Sequence, residues 1–281
     1  MGELQGAVSL TKSDIENGLK RLPALSSTVT QLLELTQRED VDPGQVSQTV
    51  AQDPVLSARL LRVANSPFFG LAGEIVSLNQ ACMILGMGTV RNLAVSVGMK
   101  NSLGSDKQSQ EQAALWRRAT EKAVAAEALA RHCRLSSETA FTAGMLDDLG
   151  EMVVISCFPD ASEAVKQHII DQGCDQSAAE NAVFGMNHRE VGAMLAKLWC
   201  LPKLIQQVIA GRAGGGADVP PVIDIVALAD AIVDLDRDSA VDELMQQLPA
   251  DAASRRGVDS QLLEKWLVDI EKGQALVEIL T

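Results

Sequence analysis

The sequence predicts an all-α protein. Apolar residues recur at helical spacing along the chain, and no segment of useful length alternates with period two. Tyr is absent and aromatic residues make up only 3% of the 281 residues, against an apolar share of 47%. That apolar share is rich in Ala, Leu, Val and Met, side chains that suit helix-on-helix packing better than a β-sandwich. Capping signals also recur where such helices would begin.

In chain order, Ser26 or Ser27 can cap a helix near 27–38. Asp42-Pro43 and Asp53-Pro54 each put a capping acid before a proline, the preferred order at a helix start, and predict helices at 43–51 and 54–65. Ser77 opens a helix near 78–85, which Gly86 can end in the left-handed conformation, and another runs over 89–102. Segment 101–112, NSLGSDKQSQEQ, is polar enough to be a linker. A long helix over 111–133 follows, with Leu115, Ala119, Ala123, Ala126 and Ala130 on one face. Next come an apolar helix at 138–157 and helices near 160–171, 177–184, 188–199 and 203–211. GRAGGGADVPP (211–221) reads as a loop, and helices near 221–235, 240–248 and 259–280 complete the chain. The last has a broad apolar face, including Leu263, Trp266 and Ile270. It can pack back on the domain or form a dimer contact.

The formal net charge is −13, the wrong sign for non-specific binding of nucleic acid or an anionic membrane. The five cysteines form no C-x-x-C pair, which argues against a zinc finger or disulfide framework and fits reduced thiols in the cytoplasm. No apolar run approaches 18 residues, so no membrane span is expected. The N-terminus lacks the basic start and apolar stretch of a secretory signal.

Chemistry concentrates in FTAGMLDDLGEMVVIS (141–156), where Asp147 and Asp148 interrupt an apolar helix. Successive helical residues point about 100° apart, so the two acids would face different surroundings. Asp148 falls on the apolar stripe and needs a partner, because an unpaired buried charge is costly. It reads either as a metal ligand or catalytic acid, or as a buried acid satisfied by Arg or backbone donors. Asp230, with Asp234 as its polar neighbour, repeats the pattern in VALADAIVD. His188 follows the candidate N-cap Asn187. His132 and His168 read as surface residues. No Walker loop, G-x-S-x-G, H-E-x-x-H or dinucleotide fingerprint is present. Phe68-Phe69 is the densest aromatic spot, either a plug anchoring its loop or a partner contact.

Five segments resemble the HDOD family, a bacterial offshoot of the HD superfamily of metal-dependent phosphohydrolases. They are DPVLSARLLRVANSPFFG (53–70), IVSLNQACMILGMGTVRNLAV (75–95), AGMLDDLGEMV, HREVGAMLAKLWCLP and ALADAI. Leu115-Trp116-Arg117-Arg118 belongs to the same collinear match, over about 21–235. The resemblance implies a multi-helical HD-domain-like fold, with an N-terminal helical half at 21–105 packed on an HD-like half at 106–235. An extension at 1–20 and a helical extension at 236–281 flank them.

By the same resemblance, the superfamily's metal-binding positions fall on Arg118, Asp147, Asp148, His188 and Asp230. Both core histidines are thus replaced, one by Arg118 and one by Asp147, and a downstream His pair near Gly211-Arg212 is missing. A guanidinium about 5 Å from a divalent ion would be repelled by about 6–7 kcal/mol at an effective dielectric near 20. The expectation is therefore that Arg118 takes the metal's place and pairs with Asp148, Asp147 or both. No metal and no other cofactor is expected. The implied role is that of a non-catalytic signalling or regulatory module, a pseudoenzyme in the cytoplasm whose partners are other signalling proteins. A nucleotide-type ligand held by Arg118 and Arg212 and a homo-oligomer stay open. The alternative is a metal-dependent phosphohydrolase cleaving a nucleotide or cyclic dinucleotide through Asp148, His188 and Asp230.

Overall fold

In the computed structural model, the residues described are 11–22, 25–35, 41–66, 74–103, 110–211, 219–237 and 239–280. Phe68, Phe69, Arg212 and most of the 211–221 loop lie outside them. All the regular structure among the described residues is α-helical.

Thr11 opens α1 (Lys12–Leu19) by a reciprocal capping box with Asp14. This helix packs against Phe158: a Cβ at Gly18 would lie 2.4 Å from that ring. α2 (Ser27–Leu35) follows. Asp42 and Asp53 then cap α3 (Pro43–Val50) and α4 (Pro54–Ala64) as expected, each accepting from backbone N–H groups of the first turn. Asn65 gives the A-N-S stretch a structural task. Its Nδ2 donates to the Leu61 and Ile75 carbonyls at 2.8 and 2.7 Å, and its Oδ1 accepts from the Ile75 N–H at 2.7 Å. That pairing clamps the two ends of segment 66–74.

α5 (Leu78–Leu103) spans both helices expected at 78–85 and 89–102. Gly86 kinks it with φ 75° and ψ 158°, a backbone a side chain would oppose. α5 is long and apolar enough to cross a membrane by length and composition, contrary to the expectation that no such stretch exists. Here 67% of its most apolar stretch is buried, largely against α2, α3 and α4. Val46, Val50, Leu56, Leu60, Val90 and Leu93 fill that core.

α6 (Gln110–His132) is the axis of the second half. Its Ala119, Ala123, Ala125 and Ala126 are fully buried, which lets neighbouring backbones come close. α7 (Ser137–Leu146), α8 (Leu149–Cys157) and, further on, α13 (Pro221–Asp234) and α16 (Ser260–Leu280) all pack on it. Between them run α9 (Pro159–Gln172), α10 (Gln176–Phe184), α11 (His188–Leu198) and α12 (Lys203–Ile209). After α13 come α14 (Val241–Gln247) and α15 (Ala250–Arg256), the latter absent from the expected helices because ADAASRR buries only alanines and has no large apolar residue to set a period. Its Arg255 holds the fully buried Asp224 by two bonds, 3.0 and 2.8 Å. The C-terminal helix packs back on the domain: Trp266, fully buried, donates from Nε1 to the Ala125 carbonyl at 2.8 Å.

The helix expected at 138–157 is two helices. Asp148, at φ −88° and ψ 15°, ends the regular geometry between α7 and α8. The turn lets α8 cross α11 at backbone contact, so close that a Cβ at Gly150 would fall 1.7 Å from the His188 carbonyl oxygen. A straight helix through 157 would forgo that crossing.

Candidate functional site

The break between α7 and α8 also corrects the expectation that Asp147 and Asp148 look into different surroundings. Both are buried, at 5% and 7% exposure, and both reach the same cation. That cation is the Lys122 ammonium on α6. Its Nζ lies 3.0 Å from Asp147 Oδ2, 2.7 Å from Asp148 Oδ1 and 2.5 Å from Asp230 Oδ1 of α13, and its side chain is fully buried. One ammonium carries three donors and no acceptor, so three carboxylate oxygens use its capacity completely.

Arg118, one turn earlier on α6, covers the outer side of the same acids. Its Nη1 is 3.2 Å from Asp148 Oδ2, and its Nη2 is 3.0 Å from Asp230 Oδ1 and 2.7 Å from Asp234 Oδ2. Nε adds a 3.0 Å bond to Asp234 Oδ1, so the guanidinium grips that carboxylate by both oxygens. Arg118 has no bond to Asp147. That acid is paired instead by Lys122 and, at 3.2 Å, by Arg189 Nη1 of α11. The result is one network of four carboxylates and three cations from α6, the α7–α8 turn, α11 and α13.

The electrostatics follow from burial working against pairing. Burial pulls the Lys122 pKa down, but the three carboxylates outweigh it and hold the ammonium above the ordinary lysine value. Arg118 and Arg189 are raised the same way, burial being overcome by Asp234, Asp230 and Asp148 for the first and by Asp147 chiefly for the second. Asp230 ends below the usual carboxylate range, since Lys122 and Arg118 more than offset its burial. Asp148 is pushed upward by burial and the adjacent Asp147, against Lys122 and Arg118.

His188 stands outside this network. Its ring Nδ1 lies 2.7 Å from Oε2 of Glu180, a carboxylate only 1% exposed, and its backbone N–H donates to the same oxygen at 2.8 Å. Burial lowers the His188 pKa, yet Glu180 and then Glu151 raise it above the ordinary imidazole value. Of the sequence candidates, the fold therefore gathers Arg118, Asp147, Asp148 and Asp230, and turns His188 toward α10. Lys122, Arg189 and Glu180 escaped the sequence reading. A signal for Lys122 existed: it sits one turn from Arg118, between Ala119 and Ala126 on the same apolar side of α6.

A cleft of about 380 Å³ opens beside the network. Asp147, Asp230 and Arg189 form its polar floor, and Val208, Val226 and Ala227 are among its apolar walls. Gly211, at φ +72°, lets Arg189 lie across that floor, since a Cβ there would meet Arg189 Cδ at 2.6 Å.

A family model described as the HDOD domain matches residues 22–213. The chain belongs to the HDOD family. A crystal structure from Shewanella amazonensis SB2B, provisionally named a phosphohydrolase, is similar at 26% identity and a TM-score of 0.76, covering 98% of this chain and 100% of that one. The likeness therefore extends over the helices that flank the HDOD match. A second, provisionally named a signal transduction protein, from Marinobacter aquaeolei VT8, shares the fold at 20% identity and a TM-score of 0.75, over 96% of this chain and 65% of its own. An "uncharacterized protein" of Treponema pallidum (strain Nichols) is 24% identical over 236 residues, 82% of this chain. The chain spans 46% of the length of that curated relative.

The divalent metal that the HD superfamily would place in this HDOD site does not fit the residues present. Asp147, Asp148 and Asp230 do offer ligand oxygens within 4.8 Å of one another. The Lys122 ammonium, however, already bonds all three acids. A divalent ion forced about 4 Å from that ammonium would be repelled by about 8 kcal/mol at an effective dielectric near 20.

Proposed function

We propose that this HDOD protein is a non-catalytic signalling or regulatory module, acting in the cytoplasm through contacts with other proteins. The observation that supports it is the saturation of the former catalytic acids. Each of Asp147, Asp148 and Asp230 is engaged by Lys122 and by one of the two arginines. Hydrolysis at an HD-type centre needs carboxylates free to hold a metal that activates water, and none of these three is free. The cleft over Arg189 adds a place where a small ligand can report to the network without being cleaved. The five cysteines form no C-x-x-C pair, a usage that suits a reducing compartment.

The second reading, a metal-dependent phosphohydrolase, is favoured by the provisional name of the Shewanella structure. One experiment separates the two. Purified protein is analysed for Mn, Fe, Zn and Mg, then incubated with each ion and a panel of phosphomonoesters, nucleotides and cyclic dinucleotides. The expected result is substoichiometric metal and no turnover distinguishable from Asp148→Ala. Stoichiometric metal with cleavage lost in Asp148→Ala establishes the hydrolase instead.

A further inference from the structure

We infer that the Lys122 ammonium is a tethered stand-in for the divalent cation of the ancestral site, and that it alone closes a latent cation cage. The inference rests on the non-catalytic reading and adds what became of the metal position. Nζ does what an ion would do there: it joins three carboxylates from two separate stretches of chain, the α7–α8 turn and α13, to α6. The three oxygens lie within 4.8 Å of one another. Hard cations take carboxylate oxygens at about 2.1–2.5 Å. The ammonium takes them at 2.5–3.0 Å, so a shift of a few tenths of an ångström converts one arrangement into the other.

Charge counting points the same way. Four carboxylates against Lys122, Arg118 and Arg189 leave the network at −1. Deleting the lysine charge leaves −2, which one divalent ion neutralises. Arg118 holds Asp148 by the other oxygen, Oδ2, and Asp234 by both; Asp230 Oδ1 is the one oxygen it shares with the cation position, so an ion there requires Nη2 to give up that single bond. A covalent cation differs from an ion in one respect that matters for regulation. Chelation or metal shortage cannot remove it, so the junction of α6, α7, α8 and α13 becomes independent of metal supply.

The test uses the full chain. Thermal melts are recorded in EDTA and in 1 mM MnCl₂ for the wild type, Lys122→Ala, Lys122→Met and Lys122→Ala with Asp148→Asn, and bound Mn²⁺ is counted by electron paramagnetic resonance. The wild type should shift by under about 1 °C and bind no Mn²⁺. Lys122→Ala should melt lower in EDTA, gain about 5 °C or more with Mn²⁺, and bind one ion. Lys122→Met, whose side chain refills the cage, should gain nothing, and adding Asp148→Asn should abolish the rescue. No Mn²⁺ effect on Lys122→Ala, failure of that variant to fold with Mn²⁺ present, or a rescue that survives Asp148→Asn overturns the inference. Failure of the rescue alone leaves the non-catalytic reading standing, whereas stoichiometric metal in the wild type removes both.

Discussion

Lys122 and Asp148 meet at 2.7 Å, although one belongs to the middle of an alanine-rich helix and the other to the turn that ends its neighbour. Asp148 makes no cap bond to α8. Its carboxylate is committed to Lys122 and Arg118, so tertiary pairing decides what this residue does for the backbone. The close approach of α6 and α7 makes the pairing reachable: a Cβ at Gly144 would lie 3.0 Å from the Ala123 Cα.

Replacing Lys122 by Met keeps most of the volume and removes the charge. Three buried or half-buried carboxylates would then share only Arg118 and Arg189. Breaking one side of a buried ionic network in this way costs about 3–5 kcal/mol. Urea denaturation should show that loss, and adding Asp148→Asn should recover part of it. Strictly additive losses would mean that the two groups do not stabilise one another.

Arg118 and Asp234 should rank differently although they are bonded to each other. The Arg118 side chain is 29% exposed and holds three acids, whereas that of Asp234 is 58% exposed. Arg118→Ala leaves Asp148 and Asp230 short of a donor and should cost about 1–3 kcal/mol. Asp234→Ala removes a solvent-screened partner and should cost less than about 1 kcal/mol. Equal losses in denaturation would place the grip of Arg118 at the surface instead of in the network.

Local chemistry made much of the fold readable. Asp42-Pro43 and Asp53-Pro54 start helices because capping needs only neighbouring residues, and Gly86 marks the kink in α5 because only its own φ is at stake. The turn at Asp147–Asp148 was not readable, because it depends on one cation, Lys122, 25 residues upstream of Asp147 and 26 of Asp148, and on the α8–α11 crossing at Gly150. In the site, their apolar helical settings marked Asp148 and Asp230 as inward acids, and the HDOD resemblance set Arg118 beside Asp148, a pairing the structure has, and beside Asp147, one it lacks. A lone lysine in an alanine helix looks like part of a solvated face, so the cation nearest all three acids went unread. Arg189 and Glu180 come from α11 and α10, whose placement beside the network is purely tertiary.

His188 supplies a pH dependence with a definite sign. Its folded-state pKa is raised above the unfolded value, burial being overcome by Glu180 and Glu151, with Arg189 opposing. A raised cationic group adds stability that is complete below its unfolded pKa, about 6.5, and fades as pH rises through the folded value. The wild type should therefore lose melting temperature from pH 6 toward pH 9, over and above what His188→Gln loses. The two curves should approach one another at the alkaline end. Parallel curves across this range would show that the Glu180 contact is insensitive to the imidazole charge.

The C-terminal helix should be a condition of the network's geometry, because it packs on the helix that carries both Arg118 and Lys122. Trp266 is fully buried and bonded to the Ala125 carbonyl, one turn from Lys122. Around it, Gly273 admits Val124, whose Cγ1 would be 2.3 Å from a Cβ, and His132 reaches Asp269 at 3.0 Å. Trp266→Phe gives up the indole hydrogen bond and should cost about 1 kcal/mol. Trp266→Ala also leaves a cavity against α6 and should cost about 3–5 kcal/mol. If α6 is held in register by this contact, the Trp266→Ala and Lys122→Met losses will be non-additive in denaturation, although the two side chains do not bond. Additive losses would make α16 an independent cover, with the ionic junction holding α6 in place by itself.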